Sequence, residues 1–193
     1  MTHKSDTICA LATAYGQSGI GVIRVTGPLA KFIAKKILHQ DLEARYAYYG
    51  SFFGDKNHII DKGVAIVFPG PNSYTGEDVV EFQGHGGISV TRKLLETIIS
   101  LDVRLAEPGE FTKRAFLNGK MDLVQAEAVQ DLIQSNSEES ALSAVRSLTG
   151  EFSEKVNLIL SELTSLRVFV EATIDFSDEE IDFLESHEVS SKL

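Results

Sequence analysis

Residues 64–87 read VAIVFPGPNSYTGEDVVEFQGHGG, and this stretch decides the fold. The apolar run at residues 64–68 predicts a buried strand, and residues 78–83 predict a second strand. The connection between them, residues 69–78, contains more Pro, Gly and small hydroxyl residues than a simple hairpin requires. Residues 84–87 then lead toward a helix, which is predicted by apolar residues at positions 94, 95, 98 and 99.

The sequence before this stretch alternates between strand-like and helix-like segments. Residues 7–13 and 21–26 have strand character, and Leu29, Phe32, Ile33 and Ile37 recur at helical spacing. Aromatic residues 46–53 and a turn at residues 55–57 predict a hairpin with the strand at residues 64–68. This mixture predicts an α+β domain over residues 1–119.

The character of the chain changes near residue 120. After the helix end expected at Asn118 and Gly119, apolar residues follow in steps of mostly three or four from position 124 to position 170. The run of about 30 residues from position 141 to position 170 predicts one long amphipathic helix of about 45 Å, which needs partner helices to bury its apolar stripe. Gly150 lies inside the pattern and favours a kink or a close helix crossing there. Residues 120–193 are therefore expected to form a separate all-α segment.

The formal net charge of −10 is distributed unevenly. Residues 1–120 contain 14 Lys and Arg against 12 Asp and Glu, which is +2, whereas residues 121–193 contain 4 against 16, which is −12. An acidic surface repels phosphate backbones, so nucleic-acid contacts are expected from the first part, from another part of the protein or from a partner. The sequence shows neither a membrane-spanning apolar run nor a signal peptide, and we expect a soluble, cytoplasmic protein without membrane attachment.

The acidic stretch at residues 175–182 has two readings. It could hold a cation, but its spacing lacks the alternating oxygen ligands and the central glycine of a calcium loop. Ser177 and Glu180 instead match a capping box, and acids in a first helical turn suit the helix dipole. We therefore expect a helix start here.

A few polar residues are candidates for a binding site. Glu81 lies in a strand and fits either a solvated sheet face or a carboxylate that accepts two hydrogen bonds from an amidine-like ligand edge. The glycine-rich residues 84–87 could form a pocket floor or a simple turn, and Lys120 could hold a ligand carboxylate or be a surface lysine. The histidines lack zinc-ligand spacing, and Cys9 is expected to be a buried strand residue. No Walker phosphate loop occurs, so we expect no GTP binding of that kind.

Taken together and in this order, several segments resemble the MnmE (TrmE) family of tRNA-modifying GTPases. The resemblance covers essentially the whole chain, and its blocks are specific as a set although each is weak alone. The matching blocks are residues 19–27, 69–78, 81–87, 108–122, 125–128 and 174–176 with the acids that follow.

The resemblance implies a folate-binding N-terminal domain similar to that of aminomethyltransferases. It is followed by the first part of a helical domain, which the family interrupts with a GTPase domain that this sequence lacks. In the family, a reduced folate, as a 5-formyl or 5,10-methylene tetrahydrofolate, binds at a homodimer interface. The positions that match its binding residues are Arg24, Glu81 and Lys120. No residue of this chain is assigned a catalytic role or a metal-binding role.

The resemblance also implies partners and a pathway for the full-length protein. The family acts with an FAD-containing protein, MnmG (GidA), and modifies carbon 5 of the wobble uridine in certain tRNAs. It hydrolyses GTP with Mg²⁺ and K⁺, and whether this chain alone is an enzyme is left open. Two alternatives remain from the residues themselves: a free-standing folate-dependent one-carbon transferase, and a helical oligomerisation module.

Overall fold

The computed structural model describes residues 6–175, which separate into two compact units between Asp122 and Leu123. The first unit contains, in chain order, β1 (Ile8–Leu11), β2 (Ser18–Thr26), α1 (Ala30–Leu38), β3 (Tyr48–Phe53), β4 (Ile59–Phe68), β5 (Val79–Gly86), α2 (Ile88–Ile99), β6 (Arg104–Leu105) and α3 (Glu110–Leu117). The second unit contains α4 (Leu123–Gln134), α5 (Glu138–Leu148) and α6 (Glu151–Asp175). The capping box expected at Ser177 and Glu180 lies outside the described residues. Within residues 6–175, no helix combines the length and the apolar character that crossing a membrane requires.

The first unit is built on one mixed sheet with the strand order β3-β4-β5-β2-β1-β6. Neighbouring strands are antiparallel except β6, which lies parallel to β1 at the edge. The predicted hairpin is present as β3 and β4, and the two strands of residues 64–87 pair directly as β4 and β5. These features confirm the predicted α+β class for this part of the chain.

The hydrophobic core lies between one face of the sheet and helices α1 and α2. Alternation along β2 and β5 directs Ile23, Val25, Val80 and Phe82 to this face, and all four are almost completely buried. Phe82 meets Phe52 edge to face, with ring centroids 5.6 Å apart. The remaining core residues include Cys9, Ala65 and Val67 from the sheet, Ile33, Ala34 and Ile37 from α1, and Leu94 and Ile98 from α2.

The opposite face of the sheet is polar at its centre and partly open. The register places Arg24, Glu81 and Ile66 side by side across β2, β5 and β4. The side chains of residues 74 and 111 lie against Arg24, so the connection at residues 69–78 and helix α3 cover part of this face. Tyr49, in a neighbouring row of the same face, remains 71% exposed.

The second unit corrects one prediction. The apolar spacing predicted a single helix, but α5 and α6 are separate because Gly150 has a φ of +91°. This left-handed conformation ends a helix and is strained for residues that have a Cβ. A second break precedes α5, where the Ser137 hydroxyl accepts a hydrogen bond from the backbone N–H of Ser140 at 3.2 Å. The steps of three and four residues continue across Gly150, so periodicity alone could not detect that break. The break before α5 falls instead in a stretch without apolar residues, positions 134–140.

Helix α6 is the longest element, with 25 residues and a length of about 37 Å at 1.5 Å per residue. Its apolar residues are largely exposed, among them Phe152, Ile159 and Leu163. The expected segment of amphipathic helices is therefore present as three helices, with an apolar surface on the last of them.

Candidate functional site

Two of the three predicted binding residues meet directly in the middle of the sheet. Arg24 of β2 and Glu81 of β5 are register partners, and the Arg24 Nε and Nη2 atoms lie 2.9 and 2.8 Å from Glu81 Oε1. The side chains of Arg24 and Glu81 are only 28% and 16% exposed. The reading of Glu81 as a solvated sheet-face residue is therefore wrong: its carboxylate is mostly buried and charge-paired.

The two oxygens of Glu81 have different surroundings. Oε1 accepts a hydrogen bond from Arg24 Nε and forms an ion pair with Arg24 Nη2, whereas Oε2 accepts one hydrogen bond, from the Gln83 side-chain amide at 3.2 Å. An ionised carboxylate offers about four acceptor positions over its two oxygens. Glu81 Oε2 therefore keeps acceptor capacity for a further donor while the charge of the carboxylate stays balanced by Arg24.

Aromatic rings border the guanidinium of Arg24. Its Cζ atom lies 5.2 Å from the ring centroid of Tyr74 and 5.9 Å from that of Phe111, both within cation–π range. Tyr74 comes from the connection at residues 69–78 and Phe111 from α3, and the Tyr74 hydroxyl lies 2.9 Å from the hydroxyl of Thr112. The resulting site has a charged floor and an aromatic wall made by two separate segments.

The side chain of Lys120 lies beside the connection at residues 69–78, near Gly76. It follows the end of α3, where Gly119 has a φ of +67°, and its side chain is exposed. A Cβ added at Gly76 would lie 3.3 and 3.4 Å from the Cγ and Cδ atoms of Lys120, so the aliphatic stem of Lys120 passes close to Gly76. Arg24 and Lys120 therefore both border residues 69–78, the first by way of Tyr74 and the second by way of Gly76, and Glu81 joins them through its pair with Arg24.

A cluster of ion pairs lies beside this site. Arg104 bonds to Asp6 at 2.8 Å and to Glu110 at 2.7 Å, and Arg114 bonds to Asp6 at 2.6 Å and to Glu77 at 3.2 Å. The hydrogen bond from Arg104, aided by those from the Glu107 backbone and from Arg114, lowers the pKa of Glu110 to about 2 against the effect of burial. Sequence reasoning did not select Arg114, although its spacing of four residues from Glu110 on one helix was a usable signal.

The glycine-rich residues 84–87 are organised around a different pair. Asp61 accepts a hydrogen bond from the backbone N–H of His85 at 2.7 Å and shares a second one with His85 Nδ1 at 2.7 Å. The Asp61 carboxylate also fills the space beside Gly84, where an added Cβ would collide with Oδ2. The structure thus shows residues 84 and 85 packed against Asp61 at the end of β5.

Cys9 is confirmed as a buried strand residue. It is completely buried in β1, and burial raises the pKa of its thiol to about 12. A thiol with such a pKa stays protonated at neutral pH and is a poor nucleophile.

Comparison with known proteins adds to this geometry. Residues 7–120 match the family described as GTP-binding protein TrmE N-terminus, and residues 123–193 match the MnmE helical domain. The two matches meet within three residues of the division between the two compact units.

Close relatives span the same region. The chain is 59% identical over its full length to the tRNA modification GTPase MnmE of Ruthia magnifica subsp. Calyptogena magnifica, of which it covers 43%. It is 53% identical to the protein of the same name from Ectopseudomonas mendocina and 51% identical, over 98% of its length, to that from Hydrogenovibrio crunogenus, and it covers 42% of each. The chain thus spans less than half the length of these curated relatives. It belongs to the MnmE (TrmE) family of tRNA modification GTPases and carries the family's N-terminal domain followed by its helical domain.

Proposed function

We propose that the first unit binds a reduced folate at the Arg24–Glu81 pair. The observation that carries this proposal is the spare acceptor capacity of Glu81 Oε2 in a mostly buried carboxylate. A pterin presents a ring N–H beside an exocyclic amine, which is the donor pattern that a carboxylate accepts. The residues present fit such a ligand, since Arg24 balances the charge of Glu81 and the rings of Tyr74 and Phe111 border the pair.

Lys120 supplies the second part of the proposed site. Its ammonium group is exposed, and a folate carries carboxylates at the end opposite its pterin ring. An exposed lysine that pairs with such a carboxylate contributes modest affinity that salt weakens. In this proposal, Glu81 sets specificity for the pterin edge and Lys120 holds the ligand's acidic end.

We further propose that the chain self-associates through its first unit. The sheet face that bears the site is only partly covered within the chain, and it leaves Tyr49 exposed beside the half-buried Val64 and Gln83. An apolar surface of this kind is a common feature of protein–protein contacts. A second copy would cover it and enclose the folate.

The activity of the whole protein extends this proposal. The relatives are named as tRNA modification GTPases, and we propose that the protein containing this chain modifies carbon 5 of the wobble uridine in tRNA. It would act in the cytoplasm with an FAD-containing partner of the MnmG type and hydrolyse GTP with Mg²⁺ and K⁺. The folate bound here would supply the one-carbon group.

Calorimetric titration of the 193-residue chain with 5-formyltetrahydrofolate tests the binding proposal. Saturable binding near one folate per chain is expected, and sedimentation at micromolar concentration should show a dimer. Absence of binding at millimolar folate would reject the site, and a monomer in the presence of folate would reject the dimer. Incubation with 5,10-methylenetetrahydrofolate and an amine acceptor tests the alternative, because turnover would indicate a free-standing transferase.

A further inference from the structure

The connection at residues 69–78 is fixed from behind by buried polar groups. Thr26 and Thr75 are completely buried, and their hydroxyl oxygens lie 2.6 Å apart. Glu77 Oε2 accepts from the Thr26 hydroxyl at 3.2 Å and from Arg114 Nη1 at 3.2 Å. Buried polar groups of this kind are stable only when they are paired, so each one restricts where the connection can lie.

Arg114 is the centre of this arrangement. Its side chain is only 10% exposed, and its Nη1 atom also donates to the backbone carbonyl of Asp6 at 2.7 Å. Its Nη2 atom donates to the Asp6 carboxylate at 2.6 Å and to Glu110 at 3.1 Å. One guanidinium therefore joins α3, the segment before β1 and the connection at residues 69–78, and it does so with the planar, multidentate geometry that only arginine provides.

Arg114 connects the two segments that form the aromatic wall of the folate site. Thr75 directly follows Tyr74, and Glu77 lies three residues after it. On α3, Phe111 is three residues before Arg114, so the two side chains project from the same side of the helix. Asn118, next after the last residue of α3, donates to the backbone carbonyl of Thr75 at 2.7 Å, which adds a second link between the two segments.

We propose that Arg114, acting through Glu77, is a positioning residue of the folate site. Its guanidinium bonds to Asp6, Glu77 and Glu110 rather than to Arg24 or Glu81, and it holds Tyr74 and Phe111 in place beside Arg24. The inference rests on the proposed function for its ligand, but the position of Tyr74 can be measured without any ligand.

Arg104 provides a matched control. It belongs to the same cluster and bonds to Asp6 and Glu110, but its bonds go to groups outside residues 69–78. Arg104→Gln therefore removes a cation from the cluster and leaves the Arg114–Glu77 link in place. A role limited to stability would make the Arg104 and Glu77 variants behave alike.

The first measurement uses ¹⁹F NMR of the chain labelled with 3-fluorotyrosine. The chain has five tyrosines, and the Tyr74→Phe variant assigns the Tyr74 resonance. In Glu77→Gln and in Arg114→Lys, we expect the Tyr74 resonance to shift or broaden without ligand, whereas Arg104→Gln leaves it unchanged. Glu77→Gln keeps the bonds of Arg114 to Asp6 and Glu110, so it serves if the Arg114 variant does not fold.

The second measurement is the affinity for 5-formyltetrahydrofolate. We expect Glu77→Gln to bind roughly tenfold more weakly, the factor that corresponds to one misplaced polar contact, and Arg104→Gln to bind as wild type. An unchanged Tyr74 resonance in folded Glu77→Gln overturns the positioning role whether or not folate binds. A different result is that the Tyr74 resonance moves in Glu77→Gln and stays in place in Arg104→Gln while the wild-type chain does not bind folate. That result supports the positioning of Tyr74 and rejects only the folate assignment.

Discussion

Replacement of Glu81 is the most direct test of the site. Glu81→Ala removes Oε2, and a hydrogen bond to a charged acceptor contributes about 1.5 to 3 kcal/mol, so folate should bind about 10- to 150-fold more weakly. Glu81→Gln keeps one amide oxygen as a neutral acceptor and should lose about 1 kcal/mol, or about fivefold. In Glu81→Ala, Arg24 loses its charged partner, but its side chain is 28% exposed and can be hydrated. The free energy of unfolding of this variant should therefore fall by about 1 kcal/mol or less.

Calorimetric titration with 5-formyltetrahydrofolate measures these losses, and circular dichroism verifies that each variant is folded. Glu96→Ala is the control, because Glu96 forms an exposed pair with Arg92 at 3.8 Å on α2, and α2 packs against the sheet face opposite to the one that bears the site. The expected order of affinity is wild type and Glu96→Ala, then Glu81→Gln, then Glu81→Ala. If folded Glu81→Ala binds as tightly as wild type, the spare acceptor of Glu81 has no part in binding and the reasoning is refuted.

Three further predictions concern charge and backbone geometry. Lys120→Ala should weaken folate binding by about 0.5 to 1 kcal/mol at low salt, and titrations at rising ionic strength should show this difference shrink because the lysine is exposed. The pKa of Glu110 is lowered to about 2 from 4.5, so the contribution of its carboxylate to stability is present above pH 4.5 and is lost as the pH falls toward 2. Denaturant unfolding should show that Glu110→Gln is less stable than wild type by about 1 to 3 kcal/mol at pH 7. This difference in the free energy of unfolding should shrink toward pH 2. Gly150→Ala should lower the free energy of unfolding by about 1 to 2 kcal/mol because φ is +91°; unchanged stability with increased helical circular dichroism would instead show that α5 and α6 merge.

The strands were predictable from residues because alternation is a local signal. The apolar and polar alternation of β2 and β5 reflects one buried face and one partly open face, and the apolar run in β4 was visible in the same way. The two residues of β6 were not predicted, because so short a strand exists only through its pairing with β1. The break at Gly150 was not predicted as a helix end, since glycine inside a helical pattern is compatible with a kink or with a left-handed turn.

The site was predictable only in part for a similar reason. Glu81 was a candidate because it is a carboxylate within a strand, but its burial depends on Arg24, which is 57 residues away in the chain. Nothing local to either residue indicates that β2 and β5 are neighbours or that their register is Arg24 to Glu81. Arg114 was missed because a charged residue on a short helix is usually exposed, and its burial follows from acceptors supplied by three separate segments.

The strand order has a consequence for synthesis of the chain. At about 5 to 20 residues per second, a ribosome needs roughly 3 to 11 seconds to travel the 57 residues from Arg24 to Glu81. During that interval β1 and β2 can form a hairpin, but the edge of β2 that β5 will occupy has no partner from the sheet. Unpaired strand edges favour association with other chains, and nonlocal pairing of this kind slows folding. The nascent first unit is therefore most prone to aggregation after β2 has emerged and before β5 arrives, which is the period in which a chaperone would act on it.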